Sequence, residues 1–196
     1  MGLLDVLTGR RKLAKPAPDR LFAISTAYVT MQMALSIESR GGAAIVFQSL
    51  ATADFREIVG EMVQVVRATA GDSGTTIDTS QDDYGFSWLV LHGQDFDSLV
   101  VGINAVATAI GDGGYGERLL CAVFAFADEN AQPPAPLYLI YNFKRGAFYP
   151  FVPAAGEGTA GQRDNERELV LRAQLGSELP IETELSRWFA LWGIPI

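Results

Sequence analysis

Three short strings in this chain carry residue types that elsewhere perform chemistry, and in each the spacing decides against it. Gly111-Asp112-Gly113-Gly114-Tyr115-Gly116 fits G-x-G-x-x-G letter for letter. A dinucleotide site needs that string after a strand and before a helix, so that the pyrophosphate meets a helix N-terminus. Here it follows a helical periodicity and precedes an apolar strand-like run, which makes it a glycine-rich helix end and turn. Gly71-Asp72-Ser73-Gly74 matches part of the nucleophile loop of chymotrypsin-like proteases, but the next residue is Thr75 where that loop has another glycine. That family places its histidine before the serine, and the one histidine here, His92, comes after Ser73, so no imidazole-based triad in that order can be assembled. One cysteine and one histidine exclude the usual zinc ligand sets, Asp82-Asp83 reads as a turn, and no G-x-x-x-x-G-K-[ST] string is present. No catalytic residue, metal or cofactor is expected.

A fourth group of residues is suited to recognition. Asn142, Lys144 and Arg145 interrupt the densest aromatic run of the chain, Leu137 to Pro153, which also holds Tyr149; Arg163, Asp164 and Asn165 follow a loop rich in glycine and alanine, and Trp192 lies near the end. One reading makes them a hairpin tip and a helix cap, with Asp164 or Asn165 capping and Glu168 closing a capping box. The other makes them a recognition patch, since Arg, Tyr and Trp are enriched at interface hot spots. In a rival functional reading the chain is an enzyme or a small-ligand binder, and Lys144, Arg145 and Arg163 receive an anion in a pocket near the Leu137–Pro153 hairpin.

The positions must be supplied by the elements around them. A chain of 196 residues, 48% hydrophobic, can bury a full core in one domain. The net charge of −8 argues against nucleic acid as a partner, because phosphate neutralisation needs a basic face. The charge is unevenly spread: residues 1–20 carry +3 and the remainder −11. Leu3, Leu4, Val6 and Leu7, followed by Arg10, Arg11 and Lys12, read as a short amphipathic helix, either touching an anionic membrane or a partner helix, or docked on its own domain. Lys15 to Pro18 reads as a linker. Residues 1–18 are therefore expected to form a basic segment and linker, and 19–196 a single α+β domain. Cys121 is the only cysteine and sits in an apolar run, which predicts a buried thiol and a reducing compartment. No apolar stretch approaches the roughly 20 residues that span a bilayer, so a cytoplasmic protein is expected, with any membrane contact peripheral to the inner face.

Within the domain, Asp19 to Thr26 predicts a short helix, and the alternation of Val29, Met31, Met33, Leu35 and Ile37 with polar or small residues predicts a strand. Arg40-Gly41-Gly42 then reads as a turn into a second strand, Ala43 to Gln48. Asp54 and Glu57, with apolar residues at helical spacing from Phe55 to Val66 and Gly71 behind them, predict a helix. A hairpin around Asp82-Asp83, a helix capped by Asp95 and ending at Gly111, a strand Leu119 to Ala127 and the Leu137–Pro153 hairpin turning at Lys144-Arg145-Gly146 come next. A helix from about Asp164 to Leu175 follows. The last element predicted is a helix from Glu182 to Leu191 with Leu185, Trp188, Phe189 and Trp192 on one stripe. The order ββα recurs three times with unequal spacing, which predicts a mostly antiparallel sheet with helices packed on it.

Several of these stretches carry a resemblance. The opening from Met1 to Ala23, the block Tyr138 to Val152, the Arg163-Asp164-Asn165 string, Leu179 to Glu182, and Arg187 to Pro195 together resemble the PspA-associated protein PspAB family almost end to end. The resemblance implies an accessory role in the bacterial phage-shock response to envelope stress. Its central protein, PspA, is a membrane-remodelling coiled coil, and family members are encoded with PspA partners in actinobacteria and some archaea. It implies PspA or another phage-shock component as a protein partner, and it carries over no catalytic residue.

Overall fold

A computed structural model describes residues 20–196 apart from 51, 71–73, 83 and 155–160. The basic segment holding Leu3, Leu4, Val6, Leu7, Arg10, Arg11 and Lys12, and most of the Gly71-Asp72-Ser73-Gly74 string, lie outside the described residues. The described elements run α1 (Ala23–Leu35), β1 (Ile37–Gln48), α2 (Ala53–Ala70), β2 (Thr76–Gln81), β3 (Phe86–His92), α3 (Phe96–Ile110), β4 (Leu119–Asp128), β5 (Ala135–Asn142), β6 (Ala147–Phe151) and α4 (Asn165–Leu175). The strands form one sheet in the order β2-β3-β1-β4-β5-β6, and every adjacent pair is antiparallel. The expected α+β class with a mostly antiparallel sheet is the fold observed. The threefold ββα order is not: β2-β3-α3 and β5-β6-α4 follow it, but a single strand separates α1 from α2, and β4 stands as a third strand between α3 and α4.

The first departure lies in α1. Residues 29–35 are helical, not extended, because a second periodicity passes through the same residues. Leu21, Ile24, Ala27 and Met31 recur at three- and four-residue intervals and are all fully buried, a stripe that a strand would scatter over both faces. Val29 and Met33, inward in the predicted strand, point to solvent. Ser36, in the left-handed region at φ 54°, ends the helix with its N–H donating to the Met31 carbonyl.

Arg40-Gly41-Gly42 is the second departure. The chain does not reverse there; β1 continues through it, with Ser39 opposite Phe126 and Ala43 opposite Phe124 on β4. Four steps on one strand against two on the other make a bulge. Gly41 takes φ 70°, and a Cβ on it would stand 2.9 Å from the Gly93 carbonyl oxygen, so glycine serves the bulge here as it would have served a turn.

Other local signals hold at Asp95, Gly111 and Asp82. Asp95 caps α3, its carboxylate accepting from the Ser98 N–H at 2.9 Å. Gly111 to Gly116 follows this helix and precedes β4, winding through a wider turn at Gly111–Tyr115 and a short 3-10 turn before the strand. Asp82 organises the β2–β3 turn: one carboxylate oxygen accepts from the Tyr84 and Phe86 N–H groups at 3.0 and 2.9 Å, the other from the Trp88 indole at 3.1 Å.

The sheet is covered on both faces. On one side α1, α2, α3 and α4 pack on Ile45, Phe47, Leu89, Leu91, Phe124 and Tyr141. On the other, Val46, Val90, Val123, Ile140, Tyr149 and Phe151 are covered by Trp188 and by Leu191, Ile194 and Ile196. The predicted helix Glu182–Leu191 does not exist; a single 3-10 turn, Leu185–Arg187, stands in an otherwise irregular segment. This segment is laid along the sheet instead. Ile181 bridges Phe148 in parallel, the Phe148 N–H donates to Pro180 O and the Glu182 N–H to Phe148 O, both at 2.8 Å, and the strap ends with Ile196 pressed on Gly42, where any Cβ would meet its Cγ2 at 2.0 Å. A ten-residue helix is a weak competitor for such a segment, since helix nucleation is costly and edge pairing satisfies the same backbone groups.

Candidate functional site

The aromatic and charged residues singled out in the sequence meet where this strap crosses β6. Tyr149 and Phe151 point from β6 to the strap side of the sheet. Trp188 stacks on Tyr149, with ring centroids 6.2 Å apart and planes at 21°, and its indole N–H donates to Glu182 O at 3.0 Å. Trp192 meets Phe151 edge-on, centroids 5.0 Å apart. Trp188 is 6% exposed and Trp192 45%.

Two ion pairs fasten the strap. Arg163 lies just before α4, and its Nε and Nη2 donate to the two oxygens of Glu168 at 3.0 and 2.7 Å. Its Nη1 donates to Trp188 O, and its guanidinium carbon stands 5.5 Å from the Phe151 ring centroid. Glu168, 2% exposed, also accepts from the Val152 N–H at 2.9 Å. One guanidinium and one carboxylate thus join the end of β6, the first turn of α4 and the strap. Glu168 does not close a capping box, because its side chain turns inward to this pair; the cap is made by Asp164 alone, accepting from the Arg167 N–H at 2.9 Å. The second pair joins Arg145 at the hairpin tip to Glu182 at 2.8 Å, with Arg187 at 3.7 Å. Burial by itself would raise the Glu182 carboxyl, but the Glu184 N–H and the two arginines outweigh it and hold the group below its ordinary value.

The remaining residues divide between scaffold and surface. Asn142 uses its side-chain oxygen to accept from the Lys144 and Arg145 N–H groups at 3.1 and 3.2 Å, so it builds the turn. Lys144 is exposed at the tip, and Asn165 is exposed beside a cleft of about 130 Å³ bordered by Arg163, Glu168, Leu169, Leu185 and Trp188. Leu169 and Leu185 on that cleft are 46% and 47% exposed, and Phe189, next on the strap, is 61% exposed. Glu168, Glu182, Leu169 and Leu185 were not among the residues the sequence nominated for recognition. Glu168 and Glu182 carry no local signal for it, whereas Leu185 and Phe189 were read as part of one helical stripe.

Chemically, this surface offers contact more than reaction. Burial pushes the Tyr149 phenol far above its usual range and the Cys121 thiol up to about 12, so neither is an anion near neutrality. His92 stands exposed at the end of β3. Among the described residues no group of three or more His, Cys, Asp and Glu side chains is placed to hold a metal ion, and no helix is long and apolar enough to cross a membrane.

The blocks that build this surface were also those that carried the resemblance. A family model described as PspAB, PspA associated protein B, matches residues 1–196, the whole length. The chain belongs to that family. The PspA associated protein B description names association with PspA, in keeping with an accessory role. No curated protein and no solved structure matches the chain significantly.

Proposed function

We propose that this chain is a non-enzymatic accessory protein of the phage-shock envelope-stress response that works by binding PspA through its C-terminal strap. The observation that carries this reading is the exposure of Leu169, Leu185, Phe189 and Trp192 around a rigidly latched base. Large apolar side chains held in fixed positions and ringed by charge are the anatomy of a protein-binding patch. Lys144, Arg145, Tyr149, Arg163, Asp164, Asn165 and Asn142 then serve mostly as frame: Arg145 and Arg163 hold the strap, Asn142 and Asp164 hold the turns, and Lys144 and Asn165 form the polar rim. Aromatic anchors on a pre-organised surface lose little conformational freedom on binding.

The rival reading, an anion received by Lys144, Arg145 and Arg163, is less favoured because two of those three cations already face carboxylates, Glu182 and Glu168. In the proposed account the protein acts in the cytoplasm, and the basic segment with Leu3, Leu4, Val6, Leu7, Arg10, Arg11 and Lys12 provides peripheral contact with the inner face of the membrane.

Co-purification tests the reading. PspA from the same organism should be retained by the full chain and lost with Leu185→Ala/Phe189→Ala, a pair of exposed positions whose truncation leaves the buried core intact. Retention of PspA by that variant at the level of the unmodified chain would refute it.

A further inference from the structure

At the opposite side of the sheet, β1, β2 and β3 run out beneath the N-terminal half of α2 and leave a pocket of about 270 Å³. Its apolar wall is Phe47, Leu50, Phe55 and Val59. Its floor is polar in a place where the same sheet face is otherwise core. Ser87 pairs opposite Phe47, and Thr79 opposite Leu89, so both lie in register with residues of the helix-side core. The Ser49 and Ser87 hydroxyls share a hydrogen bond at the pocket edge. Arg56 is exposed at the mouth. Among the described residues it is the only charged group that lines the pocket, its side chain makes one long hydrogen bond of 3.5 Å from Nε to Thr52 O, and no described carboxylate pairs with it.

We propose that this pocket binds a small amphipathic anion, with its acidic head on Arg56 and the neighbouring hydroxyls and its short apolar body against Phe47, Leu50, Phe55 and Val59. The pocket joins an apolar wall to a few convergent polar groups, the usual composition of a small-molecule site. The nearby acidic side chain of Asp82 is turned away, committed to the β2–β3 turn and to Trp88 on the other face. An unpaired arginine beside hydroxyl donors selects carboxylate or phosphate. This site is independent of the strap, and its failure would leave the PspA reading untouched.

Isothermal titration of the full chain with octanoate, octyl phosphate, octan-1-ol and acetate tests it. Octanoate or octyl phosphate should bind, and the tighter of the two identifies the head group. Octan-1-ol and acetate, each lacking one half of the ligand, should give no heat at the same concentration. Arg56→Ala should weaken binding by about tenfold or more, and Val59→Trp, which fills the mouth from an accessible helix position, should abolish it, both with unchanged melting temperature. Equal affinity for Arg56→Ala and the unmodified chain, equal binding of octan-1-ol, or no heat from either anion at millimolar concentration would overturn the proposal.

Discussion

Arg163 and Glu168 are five residues apart in the chain, yet their bidentate pair, at 3.0 and 2.7 Å, closes a junction between three elements, the end of β6, the first turn of α4 and the strap. The Val152 N–H on one side and Trp188 O on the other complete its hydrogen bonding. A buried pair satisfied in this way contributes little against an apolar replacement but a great deal against the loss of one partner, which leaves the other charge buried alone.

Arg163→Ala and Glu168→Ala should therefore each destabilise the protein by about 3–5 kcal/mol. The double variant Arg163→Met/Glu168→Leu should cost less than the sum of the two single changes. Urea denaturation of the four proteins measures this; strict additivity would show that the two side chains act independently.

Glu182 gives a pH dependence whose sign follows from its environment. The Glu184 N–H, Arg145 and Arg187 favour the carboxylate, so the folded protein binds its proton less readily than the unfolded chain does. Its contribution to stability is fully present above the ordinary carboxylate value of 4.5 and is lost as pH falls through the lower folded value. Glu182→Gln should thus be less stable than the unmodified chain at pH 7, with the gap narrowing as the pH is taken below 4.5. A gap that stays constant or widens on acidification contradicts the assignment.

The two strap tryptophans should separate in their effects on stability. Trp188, 6% exposed and stacked on Tyr149, should cost about 3–5 kcal/mol when cut to alanine. Trp192, 45% exposed and meeting Phe151 edge-on, should cost well under half as much. Thermal melts compare them; equal losses would place Trp192 in the core.

What the sequence disclosed followed the range of its signals. The Leu137–Pro153 hairpin, with Gly146 at φ 62° in its turn, and the caps at Asp95 and Asp164 rest on residues within a few positions of one another, and these could be read. The first half of α1 was read as a helix, but residues 29–35 were read as a strand, because Leu21, Ile24, Ala27 and Met31 offer a helical stripe that runs into residues that also alternate, and which period prevails is decided by what the rest of the chain packs against it. The strap was missed for a related reason: Leu185, Trp188, Phe189 and Trp192 have helical spacing, yet Trp188 is buried by a sheet face contributed by distant strands, while Phe189 and Leu185 stay outside. For the site, Arg145 and Arg163 were legible as unusual cations, but Glu182, 37 positions from Arg145, could be named as its partner only once β6 and the strap were placed side by side.

The central claim, that the exposed face of the strap binds PspA, is tested most directly by titrating purified PspA from the same organism against the full chain and its Leu185→Ala/Phe189→Ala variant. Truncated hot-spot residues cost about 2 kcal/mol or more each, so the account predicts a loss of affinity of roughly a thousandfold for the pair with a melting temperature close to that of the unmodified chain. Unchanged affinity in the variant, or no binding of PspA by the unmodified chain, would contradict it.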